Sequence, residues 1–230
     1  MKKTIILTAA VMAACTLGAQ EALPNSFTAE LGVGVTRFIN QPALSLTTDA
    51  TPQYSALTPT LMVGMSNGRN TFGLRYSLTS VNTAATSLRE TVRLHEVSLL
   101  YRRSVQVAPR VELFGGVSAG LAIADNEVDL DGNLRSVYRY GLAVGAEMGV
   151  RYRVSEWTSL FANIGVGYTA LSGSGVSLPA DYAKQVHGAA ATVRATGGIS
   201  IGIPPEQKTL NMPAELVRNS EPLQLARYEE

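Results

Sequence analysis

The sequence predicts an all-β chain: an eight-stranded, antiparallel, up-and-down β-barrel that crosses a membrane. Three observations carry this. Eight segments alternate large apolar with small or polar side chains, the period of two expected of a strand with two unlike faces. The connectors alternate short and long, as in a transmembrane barrel with tight turns at one end and loops at the other. Only 16% of the 230 residues are charged while 46% are apolar, against roughly 25% charged in a soluble domain. So little charge argues against a disordered chain or a coiled coil. A formal net charge of +1 gives no broad electrostatic reason to expect nucleic acid as a partner.

Residues 1–20 read as a secretory signal: Lys2 and Lys3, an apolar run from Ile5 to Ala14, then Leu17-Gly18-Ala19 before Gln20. The run is about half the roughly 20 residues that a membrane helix needs. Cleavage after Ala19 is the first choice. The alternative is the stretch Met12-Ala13-Ala14-Cys15, which resembles a lipoprotein box and would make Cys15 an acylated first residue. If Ala19 is the cut, the single cysteine leaves with the signal and no thiol chemistry remains. Of four lysines only Lys184 and Lys208 would then be left, beside fifteen arginines. No later segment offers 18 consecutive apolar residues, which excludes a helical membrane protein.

The barrel is expected over 21–203, with strands at about 27–38, 55–66, 71–81, 91–104, 110–123, 138–153, 157–170 and 189–203. Segment one places Phe27, Leu31, Val33 and Val35 on its apolar face. Segments two and three offer Leu57, Leu61, Val63 and Met65, then Phe72, Leu74, Tyr76 and Leu78. Segments four and five offer Val97, Leu99 and Tyr101, then Val111, Leu113, Val117 and Leu121. Segment six is the clearest: Tyr138, Tyr140, Leu142, Val144, Ala146, Met148, Val150 and Tyr152 alternate with Arg139, Gly141, Ala143, Gly145, Glu147, Gly149, Arg151 and Arg153. Segment seven carries Leu160, Ile164, Val166 and Tyr168, and segment eight Val193, Ala195, Ile199 and Ile201. Most of these segments exceed the roughly 9–11 residues of a tilted membrane strand. Short connectors fall at Asn67-Gly68, a strong hairpin signal, at Val107-Ala108-Pro109 and at Ser155-Glu156. Long ones fall near 39–54, 82–90, 124–136 and 172–187.

A soluble ligand-carrying barrel would also alternate, with its apolar face inward. Its wet exterior would need Lys, Glu, Asp, Asn and Gln, whereas the polar face here is mainly Gly, Ala, Ser and Thr with isolated Arg and Glu. Small residues suit the narrow lumen of eight strands. Tyr140 and Tyr152 cap one apolar stripe at a spacing that converts to roughly 30 Å of membrane height. They are expected in aromatic girdles, together with Tyr76, Tyr101, Tyr138, Trp157 and Tyr168.

With its alternating strands, signal and loop asymmetry, the chain resembles the small eight-stranded outer-membrane barrels of Gram-negative bacteria, the outer-membrane protein A and X type, a porin-like barrel domain. The likeness spans about residues 24 to 203. It implies a cell-envelope protein of the outer membrane, contacting outer-membrane lipid and lipopolysaccharide. Two features depart from that pattern. Such barrels usually finish on an aromatic residue, whereas here Ile201-Gly202-Ile203 is followed by Pro204-Pro205 and a segment to Glu230. That segment, 204–230, is too short for a peptidoglycan-binding domain and reads as a mostly unstructured periplasmic tail, open to a protein partner.

The inward faces would hold Glu30, Glu96, Glu112 and Glu147 together with Arg75, Arg102, Arg139, Arg151, Arg153 and Arg194, and charges in so narrow a space should pair. Arg102 and Glu112, equidistant from Val107, are expected to lie opposite each other. The network reads as a salt-bridged plug. Its alternative is a narrow ion or small-solute path. Catalysis is not expected: in His95-Glu96-Val97-Ser98 a spacing of three puts His95 and Ser98 on opposite faces, unlike the one-face His/Ser pair of lipid-modifying barrels. No cofactor is implied. Glu127, Asp129 and Asp131 before Gly132 resemble half of a calcium loop, but Tyr138 stands where the bidentate Glu belongs. The expected role is therefore structural or interactive, carried by surface loops.

Overall fold

Eight strands close on themselves in the computed structural model, which describes residues 26–39, 55–67, 69–84, 88–130, 133–173 and 187–203. They are β1 Ser26–Phe38, β2 Ser55–Asn67, β3 Asn70–Ala84, β4 Leu88–Ala108, β5 Val111–Leu130, β6 Asn133–Arg153, β7 Thr158–Ser172 and β8 His187–Ile203. Each pairs antiparallel with its chain neighbours, and β8 returns to β1 through pairs such as Thr28↔Gly202 and Val35↔Ala195. The expected signal (1–20) and tail (204–230) lie outside the described residues, as does Gly68.

The register fixes the tilt. Partners followed sideways from Thr28 run through Gly64, Gly73, Leu100, Ser118, Gly145, Gly167 and Thr192. The walk arrives back on β1 at Phe38, ten residues further along. With roughly 3.3 Å per residue and about 4.7 Å between strands, that stagger tilts the strands by roughly 41°. The short turns end at one level and the apolar outer band rises roughly 25 Å above it, the height of a membrane barrel's apolar belt.

The apolar faces point outward. Leu31, Leu57, Leu99, Leu121 and Leu142 are each more than 60% exposed, while the alternate positions Thr36, Thr58, Thr79 and Arg139 are essentially sealed. An interior of ion pairs beneath an exterior of Leu, Val and Ile inverts a soluble carrier, whose apolar face must turn inward to meet its ligand. Several lumen glycines are needed for close approach: a Cβ on Gly141 would stand 1.7 Å from the Ala170 carbonyl oxygen, and one on Gly120 2.0 Å from that of Val97.

Two expectations about connectors are corrected. The segments near 82–90 and 124–136 are mostly strand: β3 and β4 continue to Ala84 and from Leu88, β5 and β6 to Leu130 and from Asn133. By their register these hairpins rise roughly 10–20 Å beyond the apolar band. Alternation persists there, with buried Val128 between the partly exposed Glu127 and Asp129, so β pairing continues where loop composition was expected. The β4–β5 turn is also displaced. It is built on Pro109-Arg110, with Ala108 opposite Val111 and a register shift between Gln106 and Ala108. Pro109, with its fixed φ, takes the turn position and moves the hairpin centre past Val107. Glu112 therefore faces Gln106, while Arg102 faces Gly116.

Candidate functional site

Charged side chains converge in the barrel interior, where they are layered along the axis. At the short-turn end Glu112 accepts from Arg153 at 2.7 Å and from Arg151 at 3.4 Å. Arg151 also reaches Glu30 at 2.7 Å. Glu30 in turn receives Arg102 Nη1 at 2.5 Å, and Arg102 Nε donates to Glu147. Glu147 ends the chain on Arg75 at 2.6 Å, whose Nη2 donates to Ser118 at 2.9 Å. Acid and base thus alternate over seven side chains from five strands, each carboxylate meeting two guanidiniums. Phe114 lies beneath this chain, with the Arg102 and Arg151 guanidiniums 4.8 and 5.7 Å from its ring centre.

One step higher, Arg194 and Glu96 pair at 2.6 Å. Glu96 also accepts from Ser77 at 2.9 Å and Thr169 at 3.0 Å, and Arg194 donates to Thr36 at 2.9 Å. Thr36, Thr58 and Thr79 continue as a hydroxyl ladder at 2.7 and 3.0 Å. Between the two ionic layers lies a cavity of about 60 Å³ lined by Glu30, Arg75, Glu96, Arg102, Glu147 and Arg194 among others, room for roughly four waters.

Above the ions the lumen turns apolar. Phe38, Ala56, Val81, Val92, Leu94, Ala122, Ala124, Leu171 and Ala190 pack into one buried cluster at the level where the outer band ends. Higher still, inside the projecting β4–β6 hairpins, Asn126 donates to Glu90 at 2.6 Å and accepts from Arg139 at 2.9 Å.

The structure thus gathers Glu30, Arg75, Arg102, Glu112, Glu147, Arg151 and Arg153 into one chain and Glu96 with Arg194 into a second pair. Arg139 belongs to neither. It sits beyond the apolar cluster with Glu90 and Asn126. The expected Arg102–Glu112 pair does not form, because the displaced turn sets them four residues out of register; Arg102 serves Glu30 and Glu147 instead. Sequence reasoning missed the apolar cluster and the buried rings of Phe114 and Phe161. Residue parity could have found them, since Phe38, Phe114 and Phe161 share the faces of Thr36, Glu112 and Asn163. It also missed Glu90 and Asn126, which fell in a presumed loop.

On the outside, Tyr138, Tyr140, Tyr152, Trp157, Tyr168 and Tyr76 are exposed. The register sets Tyr152, Trp157 and Phe72 near the short turns, with Tyr101 against Phe72 at 5.0 Å. Tyr138, Tyr140 and Tyr168 stand at the opposite boundary. Tyr76 lies between the two levels, its hydroxyl 2.8 Å from His95 Nδ1. His95 is therefore on the outer face while Ser98 is buried among the lumen residues, so no proton can pass between them. Of the half calcium loop, two residues are described. Glu127 and Asp129 lie on strand β5, where extended backbone spreads alternate side chains instead of converging them. Glu127 and Asp125 instead flank Arg93 at 3.3 and 3.7 Å. Asp131 lies outside the described residues, among which no group of three metal-binding side chains occurs.

No protein-family model matches the sequence, and no curated protein matches it. Solved structures do match the fold. The chain is similar to Neisserial surface protein A, at 15% identity and a TM-score of 0.51, over 79% of this chain and 99% of that one. It is also similar to Ail, the attachment invasion locus protein of Yersinia pestis, at 12% identity and a TM-score of 0.49, over 79% and 100%. A third match is the outer membrane protease OmpT from Escherichia coli, at 8% identity and a TM-score of 0.42, over 80% and 99%. The structure neighbours are small outer-membrane β-barrels, most of them not enzymes. This chain shares the fold, as a closed antiparallel barrel of eight strands.

Proposed function

We propose that this chain is an outer-membrane barrel with a closed lumen and a structural or interaction role, exported by the signal at 1–20 and presenting its projecting hairpins beyond the membrane. One observation carries the reading: the interior is filled at two separate levels, by the ion-pair chain and by the apolar cluster around Phe38 and Leu94. A solute path needs continuous wet space. The lumen cavity of about 60 Å³ holds a few waters below a dry layer. Pairing satisfies the ions locally, so they serve as a rigid filling. The hairpins of β3–β6 offer polar, strand-ordered surface above the lipid boundary, suited to lipopolysaccharide or a protein partner. Among the described residues His95 and Ser98 stand on opposite faces of β4, so this pair cannot act as base and nucleophile.

The test has two parts. The chain should fractionate with outer membranes and migrate differently on gels before and after heating; recovery in the soluble periplasmic fraction would overturn the membrane reading. Pure protein in planar bilayers should give no unitary current steps above background. Reproducible steps that scale with the amount of protein would replace the closed-lumen reading with that of a narrow channel.

A further inference from the structure

Below the outer boundary marked by Arg37 and His95, the outward positions of the eight strands carry a single charged side chain among the described residues, Arg103 on β4. A lone cation facing hydrocarbon is unfavourable unless a counter-ion or water meets it. Arg103 sits near the short-turn end, at the corner where the β2–β3 hairpin stops and β4 runs on. Its strand partner Asn70 is the first residue of β3. The next residue, Ser104, donates its backbone N–H to the Arg69 carbonyl at 2.7 Å, which ties that turn to β4.

The corner holds more donors than acceptors. Arg103 Nε and Arg69 Nη2 are buried nitrogens without a hydrogen-bond partner, and neither guanidinium forms an ion pair with a described residue. Tyr101 donates its hydroxyl to Asn70 Oδ1 at 2.9 Å, leaving the Asn70 amide nitrogen as a further donor. The flank is open. Gly115 lies opposite Arg103, and a Cβ there would meet nothing closer than the Glu147 carbonyl oxygen at 3.9 Å. Among the described residues no carboxylate shares the corner, since Glu112 faces the lumen and is held by Arg151 and Arg153.

We propose that Arg103 and Arg69, with Asn70, form a lipid-facing site for the phosphate of an anionic phospholipid in the leaflet at the short-turn end. Guanidinium groups match phosphate oxygens through paired charge-assisted bonds, and the phosphates of that leaflet lie at this height. A zwitterionic headgroup adds a cationic ammonium, which the two guanidiniums repel and no described carboxylate of the corner offsets, so the site selects a headgroup without one, such as phosphatidylglycerol. The site rests on the membrane reading above.

The test uses the full folded chain in non-ionic micelles, mixed in parallel with phosphatidylglycerol, phosphatidylcholine or inorganic phosphate and followed by native mass spectrometry. Wild type should keep one phosphatidylglycerol and no phosphatidylcholine. Arg103→Gln should lower occupancy about tenfold, the worth of one charge-assisted contact, and Arg69→Gln should lower it to a lesser extent. Arg110→Gln, on the exposed neighbouring turn, should leave occupancy unchanged. Equal retention in Arg103→Gln and wild type, equal retention of phosphatidylcholine, or displacement of the lipid by equimolar inorganic phosphate would each overturn the site. Those results leave the membrane reading standing, provided the gel shift on heating is kept; a chain that never inserts into vesicles defeats both.

Discussion

Glu147→Ala isolates the contribution of the ion-pair chain. Glu147 takes both Arg75 at 2.6 Å and Arg102, with side-chain exposures of 7% for the acid, 17% for Arg75 and 4% for Arg102. Removing it strands Arg75 on Ser118 alone and leaves Arg102 with Glu30. Breaking a buried pair from one side costs about 3–5 kcal/mol, because the remaining charge is left uncompensated. The adjoining cavity lets water approach the freed guanidinium, so the lower end, about 3 kcal/mol, is expected. Glu112→Ala is the internal control. Its partner Arg153 is 39% exposed and can rehydrate, so about 1 kcal/mol is expected there. Urea unfolding in lipid vesicles, followed by the fluorescence of Trp157, the only tryptophan, reads both variants against wild type. If the two variants unfold at the same midpoint, the chain is not held by buried pairing and the reasoning fails.

Two further outcomes follow from the outer and inner faces. Leu99→Arg, at the middle of the apolar band and 71% exposed, should lower folding stability in vesicles by about 2–4 kcal/mol, while Val107→Arg below the band should cost under about 1 kcal/mol; equal losses in the same urea titration would contradict the assigned membrane level. Gly141→Ala sets a Cβ 1.7 Å from the Ala170 carbonyl and should cut the folded, heat-shifted fraction on gels severalfold, whereas Gly115→Ala should fold as wild type. A normal yield of Gly141→Ala would mean that β6 and β7 pack less closely there than described.

Alternation made the barrel legible, because a period of two survives wherever one face meets lipid and the other a crowded lumen. Inward placement of Glu30, Arg75, Glu147 and Arg194 follows from parity alone. Their partners do not. Glu30 and Arg151 are 121 positions apart in sequence and meet only because the stagger of ten brings β1 and β6 side chains to one height across the barrel. The Arg102–Glu112 pairing failed on a single local detail, the turn residues Pro109 and Arg110, which shifted the hairpin centre. The projecting hairpins were hidden for a compositional reason: Asp125, Asn126, Glu127, Asp129 and Asp131 read as a loop, yet Val128 and Val137 fall on the inner face and keep the strands paired.

The two closures of the lumen differ in what sustains them. An ion-pair chain in contact with water can rearrange, since each carboxylate has a second guanidinium within reach. A layer of Phe38, Val81, Val92, Leu94 and Leu171 can open only by leaving apolar surface wet. Loss of Glu147 should therefore destabilise the barrel without making it conduct, because the dry layer lies beyond the lesion. The glycines support the same view. Gly32 lies under the Phe161 ring, 3.0 Å from where its Cβ would stand, and Gly149 under Phe114 at 2.5 Å. Small residues on one wall are matched to large ones on the other, which is the packing of a core, not the lining of a pore. The interior of this barrel does the work that a hydrophobic core does in a soluble protein, with ions filling the central part where the glycines leave room.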